Sequence, residues 1–439
     1  MSRYVALHLL TFVLLHFSGA LPTLAEVFNP VNGKLIKGTS IEQIIVSDAM
    51  FDLLQYLLLM ILFSLIFIFA HALLARKVHR LLFSKTDPFV IHLTGSTIST
   101  LALLIVNSTL FSNSIFYIPE QLSVSLYSYS FYLLIAICLS PLILFYFPLR
   151  NRPLRSLASL ISLITAIIIA LLTTPSRPLQ ADSTPNIIFI GIDSLRPELI
   201  DKYMPTLSAQ LKQSTVFTNA FTPLARTYPA WMSILSGRHP VHSNARFNLQ
   251  PESMLTSDNK YLPNQLKKLG YYSVYATDER RFSNIGATQG FDQVIGPNTG
   301  AADFILGKYA DFPLLNLLNQ LSVAKWLLPE LYANRAAAHL YQPKQFSELL
   351  SHGISNLPDK PIFLAAHFCL AHWPLPYAGH TQVSDYPDNP NYPGNLQAID
   401  GQIKQLLAQL DENGLLRNSK LLFLSDHGES WGSVDSKLK

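Results

Sequence analysis

Residues 185–200 read PNIIFIGIDSLRPELI. From Asn186 to Ile192 the run is apolar without alternation, and it stops at Asp193. Such a run suits a strand buried on both faces of a parallel sheet. Three further runs share the form: YYSVYATD ends at Asp278, PIFLAAHF carries His367, and KLLFLSDHG leads into Asp426-His427. Helical patterns lie between them, such as LPNQLKKLG, closed by Gly270, and QAIDGQIKQLLAQLDENG. Alternating strands and helices predict an α/β fold. In open α/β sheets, ligands bind beyond the carboxyl ends of the strands. Asp193, Asp278, Asp426 and His427 should therefore gather on one rim. A single strand-end aspartate more often serves a turn or cap. Several on one rim, with an adjacent Asp-His pair, supply oxygen and nitrogen donors for a divalent cation.

A second stretch, ARTYPAWMSILSGRHP at 225–240, raises the question of a nucleophile. Pro229 fits the first turn of a helix and Gly237 its end, which sets Thr227 just ahead of the helix. One reading makes Thr227 the N-cap. The other uses the same place differently: free N–H groups and the positive dipole end suit a phosphate or sulfate group. A hydroxyl there becomes a nucleophile if a cation activates it.

The chain has 439 residues, 49% of them hydrophobic and only 14% charged, with a net charge of +4. The apolar residues concentrate in 1–175. Runs near 51–74, 91–112, 130–149 and 155–174 are each long enough to cross a bilayer. A fifth, near 4–20, reads as an anchor helix or as a signal peptide ending near Ser18-Gly19-Ala20. Arg76, Lys77, Arg80 and Lys85 fill one loop and Arg150, Arg152 and Arg155 another, while 113–129 has no Lys or Arg. The positive-inside rule makes the two basic loops cytoplasmic and puts everything after Pro175 outside. A Pro/Ser/Thr-rich linker at 176–185 then leads to a globular domain at 186–439. The basic residues sit largely in those loops, so no nucleic-acid partner is expected. Cys138 and Cys369 define neither a disulfide framework nor a cysteine metal site.

Taken in order, these segments resemble the sulfatase/alkaline phosphatase superfamily. PNIIFIGIDSLRPELI is similar to its first strand, and TYPAWMSILSGRHPVHS to its nucleophile helix with Gly-Arg-x-Pro and a following histidine. LPNQLKKLGYYSVYAT, then GFD at 290–292, HFCLAHWPLP and the segment ending in SDHGES follow in the family's order. The resemblance implies an alkaline-phosphatase-like parallel or mixed sheet with flanking helices. It implies a divalent metal ion (Mg, Mn, Ca or Zn) held by Asp193, Thr227, Asp426 and His427, with Thr227 also the nucleophile. His372 would act on the leaving group, and Arg238, His242, Arg280 (or its neighbour Arg281) and His367 would contact substrate.

The departures redirect the chemistry. Sulfatases place Cys or Ser at the Thr227 position, before x-Pro-x-Arg, and convert it to formylglycine. Here Thr cannot be so converted, and Trp231 replaces the arginine. Thr-nucleophile branches of the superfamily cleave or transfer phosphoesters. Two of them, the phosphoethanolamine transferases and lipoteichoic acid synthases, also resemble this chain in their membrane helices followed by an outward-facing domain. The expectation is an inner-membrane, periplasm-facing hydrolase or transferase acting on an envelope or lipid-linked ester, the lipid bilayer being its partner. A sulfuric ester hydrolase and an inactive membrane scaffold are the alternatives. Only GESWGSVDSKLK follows His427, where the family runs through further strands, so either the domain closes early or the chain is a fragment.

Overall fold

The computed structural model describes residues 184–256, 260–282, 284–297, 313–375 and 391–429, with Asp303, Asp311 and scattered positions between 58 and 114. They fall in two compact units, and Asp311 and residues 313–322 group with the described positions between 58 and 114. In that unit the helix Pro313–Asn319 carries Asn316, whose amide donates to Asn107 Oδ1 at 2.8 Å and to Asp311 Oδ1 at 2.9 Å. Ser114 Oγ donates to the same carboxylate at 2.8 Å. These polar groups are buried, and burial is tolerable because each is paired. The five apolar runs and Cys138 lie outside the described residues apart from a few positions. Among the described residues no helix is long and apolar enough to cross a membrane.

The second unit is built on a five-stranded sheet. Its strands are β1 (Asn186–Ile192), β2 (Tyr272–Thr277), β3 (Gln293–Ile295), β4 (Ile362–Phe368) and β5 (Ser419–Leu424), in the order β3-β2-β4-β1-β5. Every neighbouring pair is parallel. Four of these are the apolar runs read from the sequence. β3, three residues long, is too short to stand out by pattern. The helices that cover the sheet are α1 (Pro205–Leu211), α2 (Thr227–Ser236), α3 (Leu262–Lys268), α4 (Pro343–Ser355) and α5 (Tyr392–Glu412). α1, α3, α4 and α5 each carry proline in their first two positions, where its missing N–H is harmless.

Strand alternation sorts the core into two layers. Ile188, Ile190, Ile192, Leu364, Ala366 and Phe368 face Phe346 and Leu350 of α4 and Leu396, Ile399 and Ile403 of α5. On the other face Tyr275, Phe363 and Ala365 meet Trp231, Met232 and Leu235 of α2 and Leu266 of α3. β5 is one of the two edge strands, and its Leu421 and Leu422 stay exposed, unlike the fully buried β4.

Register sets the rim. Gly191 of β1 pairs with His367 of β4 and Leu424 of β5, and Thr277 of β2 pairs with His367. Asp193, Asp278, Cys369 and Asp426 therefore emerge at the same edge of the sheet. Gly191 has a steric reason: a Cβ there would lie 2.6 Å from Trp231 Cζ2. Trp231 is fully buried and has nowhere to go. Gly191→Ala is expected to cost about 1–3 kcal/mol through overpacking, read as a lower thermal midpoint of the purified full-length chain. An unchanged midpoint would mean that this wall yields.

Candidate active site

Three elements build the site. β1 delivers Asp193, whose backbone N–H is held by Phe368 O at 2.9 Å. The next residue, Ser194, takes the left-handed conformation (φ 57°), and its hydroxyl donates to Asp193 Oδ1 at 2.9 Å. Tyr392 of α5 fixes this turn, donating to Ser194 O at 2.7 Å and accepting from Arg196 N at 3.0 Å. β5 delivers Asp426 and His427. Ser425 Oγ closes their turn, donating to His427 O at 2.6 Å and accepting from Leu195 N at 3.2 Å.

α2 delivers Thr227. The sequence set Thr227 ahead of the helix as a possible cap, but it is the first helical residue and Arg226 occupies the cap position. No side chain caps this end through the cap residue, and Tyr228 N–H instead donates to Asn248 Oδ1 at 3.1 Å. Thr227 Oγ1 is turned toward β5, 3.4 Å from His427 Nε2. The helix ends as expected, with Gly237 left-handed at φ 65° and its N–H on Ser233 O.

His427 Nε2 lies 3.5 Å from Asp193 Oδ1 and 3.8 Å from Asp426 Oδ2. His367, entirely buried, reaches the same carboxylates from β4: its Nε2 is 4.0 Å from Asp193 Oδ2 and 3.8 Å from Asp426 Oδ2. His372 stands over the open side, its ring 6.1 Å from that of His427 and 5.5 Å from Phe282. Asp193, His372 and His427 together can offer ligand atoms to one ion, and so can Asp193, His367 and Cys369.

The electrostatics describe a pocket short of positive charge. Burial, and then the neighbouring Asp193, push the Asp426 carboxyl well above the usual carboxylate range. Burial works against a charged His427, but Asp426 and Asp193 outweigh it and hold its pKa above the ordinary histidine value. Burial takes His367 down to about 4. Two buried atoms at the centre, His367 Nε2 and Asp426 Oδ2, have no hydrogen-bond partner. The spacings of 3.4–4.0 Å exceed hydrogen bonds of about 2.7–3.2 Å. They match donor atoms sharing one cation, which at bonds of about 2.1 Å stand roughly 3.4–4.2 Å apart. Asp193, Thr227, Asp426 and His427 therefore fit a divalent ion.

Other expected site residues are placed elsewhere. Arg238 and His242 follow the C-terminal end of α2, the opposite end from Thr227. Arg280 turns back on its own loop, donating to Asn284 Oδ1 at 3.0 Å, half-buried and with its pKa lowered by burial. His367, expected to touch substrate, is enclosed behind the carboxylates instead. Asp278 reaches the rim but is engaged there: Tyr341 Oη donates to it at 2.5 Å and Cys369 N–H at 2.9 Å. Burial, opposed by those bonds, raises its pKa to about 6.

One important residue carries no local sequence signal. Arg335, fully buried, donates to Glu279 Oε2, to His372 O and, at 3.0 Å, to Pro374 O. It thus ties the His372-Trp373-Pro374 loop to the end of β2. The only clue in NRAAAH is a charge among small residues.

A parallel α/β sheet carrying an Asp, an Asp-His pair and a helix-borne hydroxyl at one rim defines a class of ester-cleaving folds. The chain belongs to the sulfatase family, whose family model matches residues 185–438. Uncharacterized sulfatase YdeN of Escherichia coli (strain K12) is 24% identical over 253 residues, 54% of this chain and 45% of that protein. Arylsulfatase J of Mus musculus is 23% identical over 278 residues, 58% of this chain and 44% of that one. The chain thus spans less than half the length of these two curated relatives. Similar solved structures include the PsFucS1 sulfatase from Pseudoalteromonas sp. (16% identity, TM-score 0.38, 55% of each chain). Another is the lipoteichoic acid synthase LtaP from Listeria monocytogenes (17% identity, TM-score 0.33, 56% of this chain and 57% of that one).

Proposed function

We propose that this sulfatase-family protein cleaves or transfers phosphoesters with Thr227 as nucleophile. One observation carries the reading. The Thr227 hydroxyl is not used as a helix cap but lies 3.4 Å from His427 Nε2, in the cluster with Asp193 and Asp426. A threonine cannot become formylglycine, so its own oxygen must attack. When bound by Asp193, Thr227, Asp426 and His427, a divalent ion supplies positive charge that lowers the hydroxyl pKa and offsets charge on the ester oxygens.

Thr227 Oγ1, its proton released to solvent, forms the bond to phosphorus. The bond from phosphorus to the leaving oxygen breaks, and His372, on the open side, gives that oxygen a proton. The enzyme is left as a phospho-threonine ester. Water, or an acceptor hydroxyl, then gives its proton to the now neutral His372 and attacks phosphorus; the bond from phosphorus to Thr227 Oγ1 breaks, and Oγ1 takes a proton back from solvent. Trp373 beside His372 is 67% exposed, and its ring offers an apolar surface to whatever the ester carries.

The four apolar runs and the charges of their loops support the rest of the proposal. Residues 1–175 hold the domain to the cytoplasmic membrane, facing outward, and the substrate is an envelope or lipid-linked ester. Sulfate-ester hydrolysis is the second reading, favoured by the family match and by the names of the two curated relatives. The test is a panel of aryl phosphodiester, aryl phosphate and aryl sulfate given to the full-length chain in detergent, with Mg²⁺, Mn²⁺, Ca²⁺ or Zn²⁺. A phosphoester turned over at least tenfold faster than the sulfate is the expected result. Sulfate preference would reverse the assignment, and stripping the ion with a chelator should abolish either activity.

A further inference from the structure

His367 has no place in the reaction just described, yet it occupies the centre of the rim. Its ring is sealed on the α2 side by Trp231, edge-on with centroids 4.9 Å apart. Its Nδ1 lies 3.5 Å from both Tyr275 Oη and Cys369 Sγ. Those contacts orient the ring so that Nε2 points between Asp193 Oδ2 at 4.0 Å and Asp426 Oδ2 at 3.8 Å.

Neither proton arrangement satisfies this geometry unaided. With the proton on Nε2, the carboxylates are too far away to accept it. With the proton on Nδ1, a bare lone pair faces two acidic oxygens. Both His367 Nε2 and Asp426 Oδ2 are buried and lack any hydrogen-bond partner. An orphaned nitrogen opposite an orphaned carboxylate oxygen, each fully enclosed, is costly unless something positive lies between them. On the other side of the ring Nδ1 has only the Cys369 sulfur at hydrogen-bonding range, 3.5 Å away, with Tyr275 Oη a long 3.5 Å contact.

We propose that His367 is a ligand of the cation that Asp193 and Asp426 hold. The inference rests on the metal reading of the site given above. It names a nitrogen donor that the resemblance did not assign, in addition to His427. Two imidazoles shift the site away from the all-oxygen preference of Ca²⁺ and Mg²⁺ and toward Zn²⁺. His367 thereby becomes the residue that sets which ion the protein takes.

The experiment measures metal binding by the purified full-length chain in detergent, independently of turnover. One Zn²⁺ per chain is expected for the wild type. His367→Gln should weaken Zn²⁺ binding at least tenfold and change Ca²⁺ and Mg²⁺ binding less than threefold. His367 is packed in the core, so a second measurement avoids disturbing it. X-ray absorption of the Zn²⁺-loaded His372→Ala chain should count two imidazole ligands, His367 and His427. A single imidazole there, or wild-type Zn²⁺ affinity in a folded His367→Gln, overturns the proposal while leaving the Asp193–Asp426–His427 site standing. Asp426→Asn reports on that site by itself and should lose all four ions. A wild-type chain that retains none of the four ions overturns both readings.

Discussion

Replacing Thr227 with alanine is expected to lower kcat by at least about 10³-fold, the scale seen when a nucleophile is removed from an intact site. The protein should remain folded and metal-competent. Thr227 is 2% exposed, and truncation removes a hydroxyl and one methyl, a loss of about 1 kcal/mol. Asp193, Asp426 and His427 stay in place, so most of the ligand set survives. Thr227→Ser keeps an oxygen at the same place and should keep measurable turnover. A cap role predicts a different result: a stability loss of about 0.5–2 kcal/mol and an ordinary kcat. The two variants, assayed for rate, bound metal and thermal midpoint, separate the roles. Turnover by Thr227→Ala within tenfold of wild type would exclude Thr227 as the nucleophile.

The second large effect is on Arg335. Its buried guanidinium holds the buried Glu279 carboxylate and two backbone carbonyls of the half-buried His372 loop. Removing it leaves a buried charge and unpaired carbonyls, and breaking such pairs costs about 3–5 kcal/mol. For a domain of this size that lowers the thermal midpoint by roughly 10 °C. Turnover should fall further than the stability loss explains, because the loop that presents His372 loses its tie. Metal affinity should change little, since Arg335 donates to none of Asp193, Asp426 or His427.

The pH dependence gives an independent readout. Burial would raise the Glu279 pKa, but Arg335 and then Arg281 outweigh it and bring it from 4.5 to about 2. A depressed carboxylate contributes stability that is complete above about pH 4.5 and is lost as pH falls toward 2. Asp278, raised by burial to about 6, acts in the opposite sense: its contribution is complete below about 3.8 and is lost as pH rises through 6. Melting of the wild type between pH 3 and 4.5 should therefore show the Glu279 loss, and that limb should flatten in Arg335→Met. Equal acid slopes in the two proteins would show that the pair contributes nothing of its own.

Much of this design is written locally. The runs at 186–192, 272–277, 362–368 and 419–424 are strands because they are short, mainly apolar runs, the first two of them rich in β-branched and aromatic residues. Gly237, Gly270 and Gly414 sit just past helix ends at positive φ, a conformation costly for other residues. Strand-end acids at Asp193 and Asp426 are legible because parallel strands deliver their carboxyl ends to one side. His367 was misplaced for an equally physical reason. Its position in β4 gives the direction of its side chain only once the register puts Gly191 beside it and Trp231 over it.

What the sequence alone determined was the alternation of strand and helix, and with it the rim where Asp193, Asp278, Asp426 and His427 gather. Those follow from burial patterns and chain direction, which are local properties. The tertiary structure alone decided that Thr227 turns toward His427 rather than capping its helix. It also decided that Asp278 is bound to Tyr341, that His367 lies sealed behind two carboxylates, and that Arg335 ties the His372 loop. Each of these depends on a partner far away in the chain, and the energy of a buried charge or hydrogen bond is set by what packs around it.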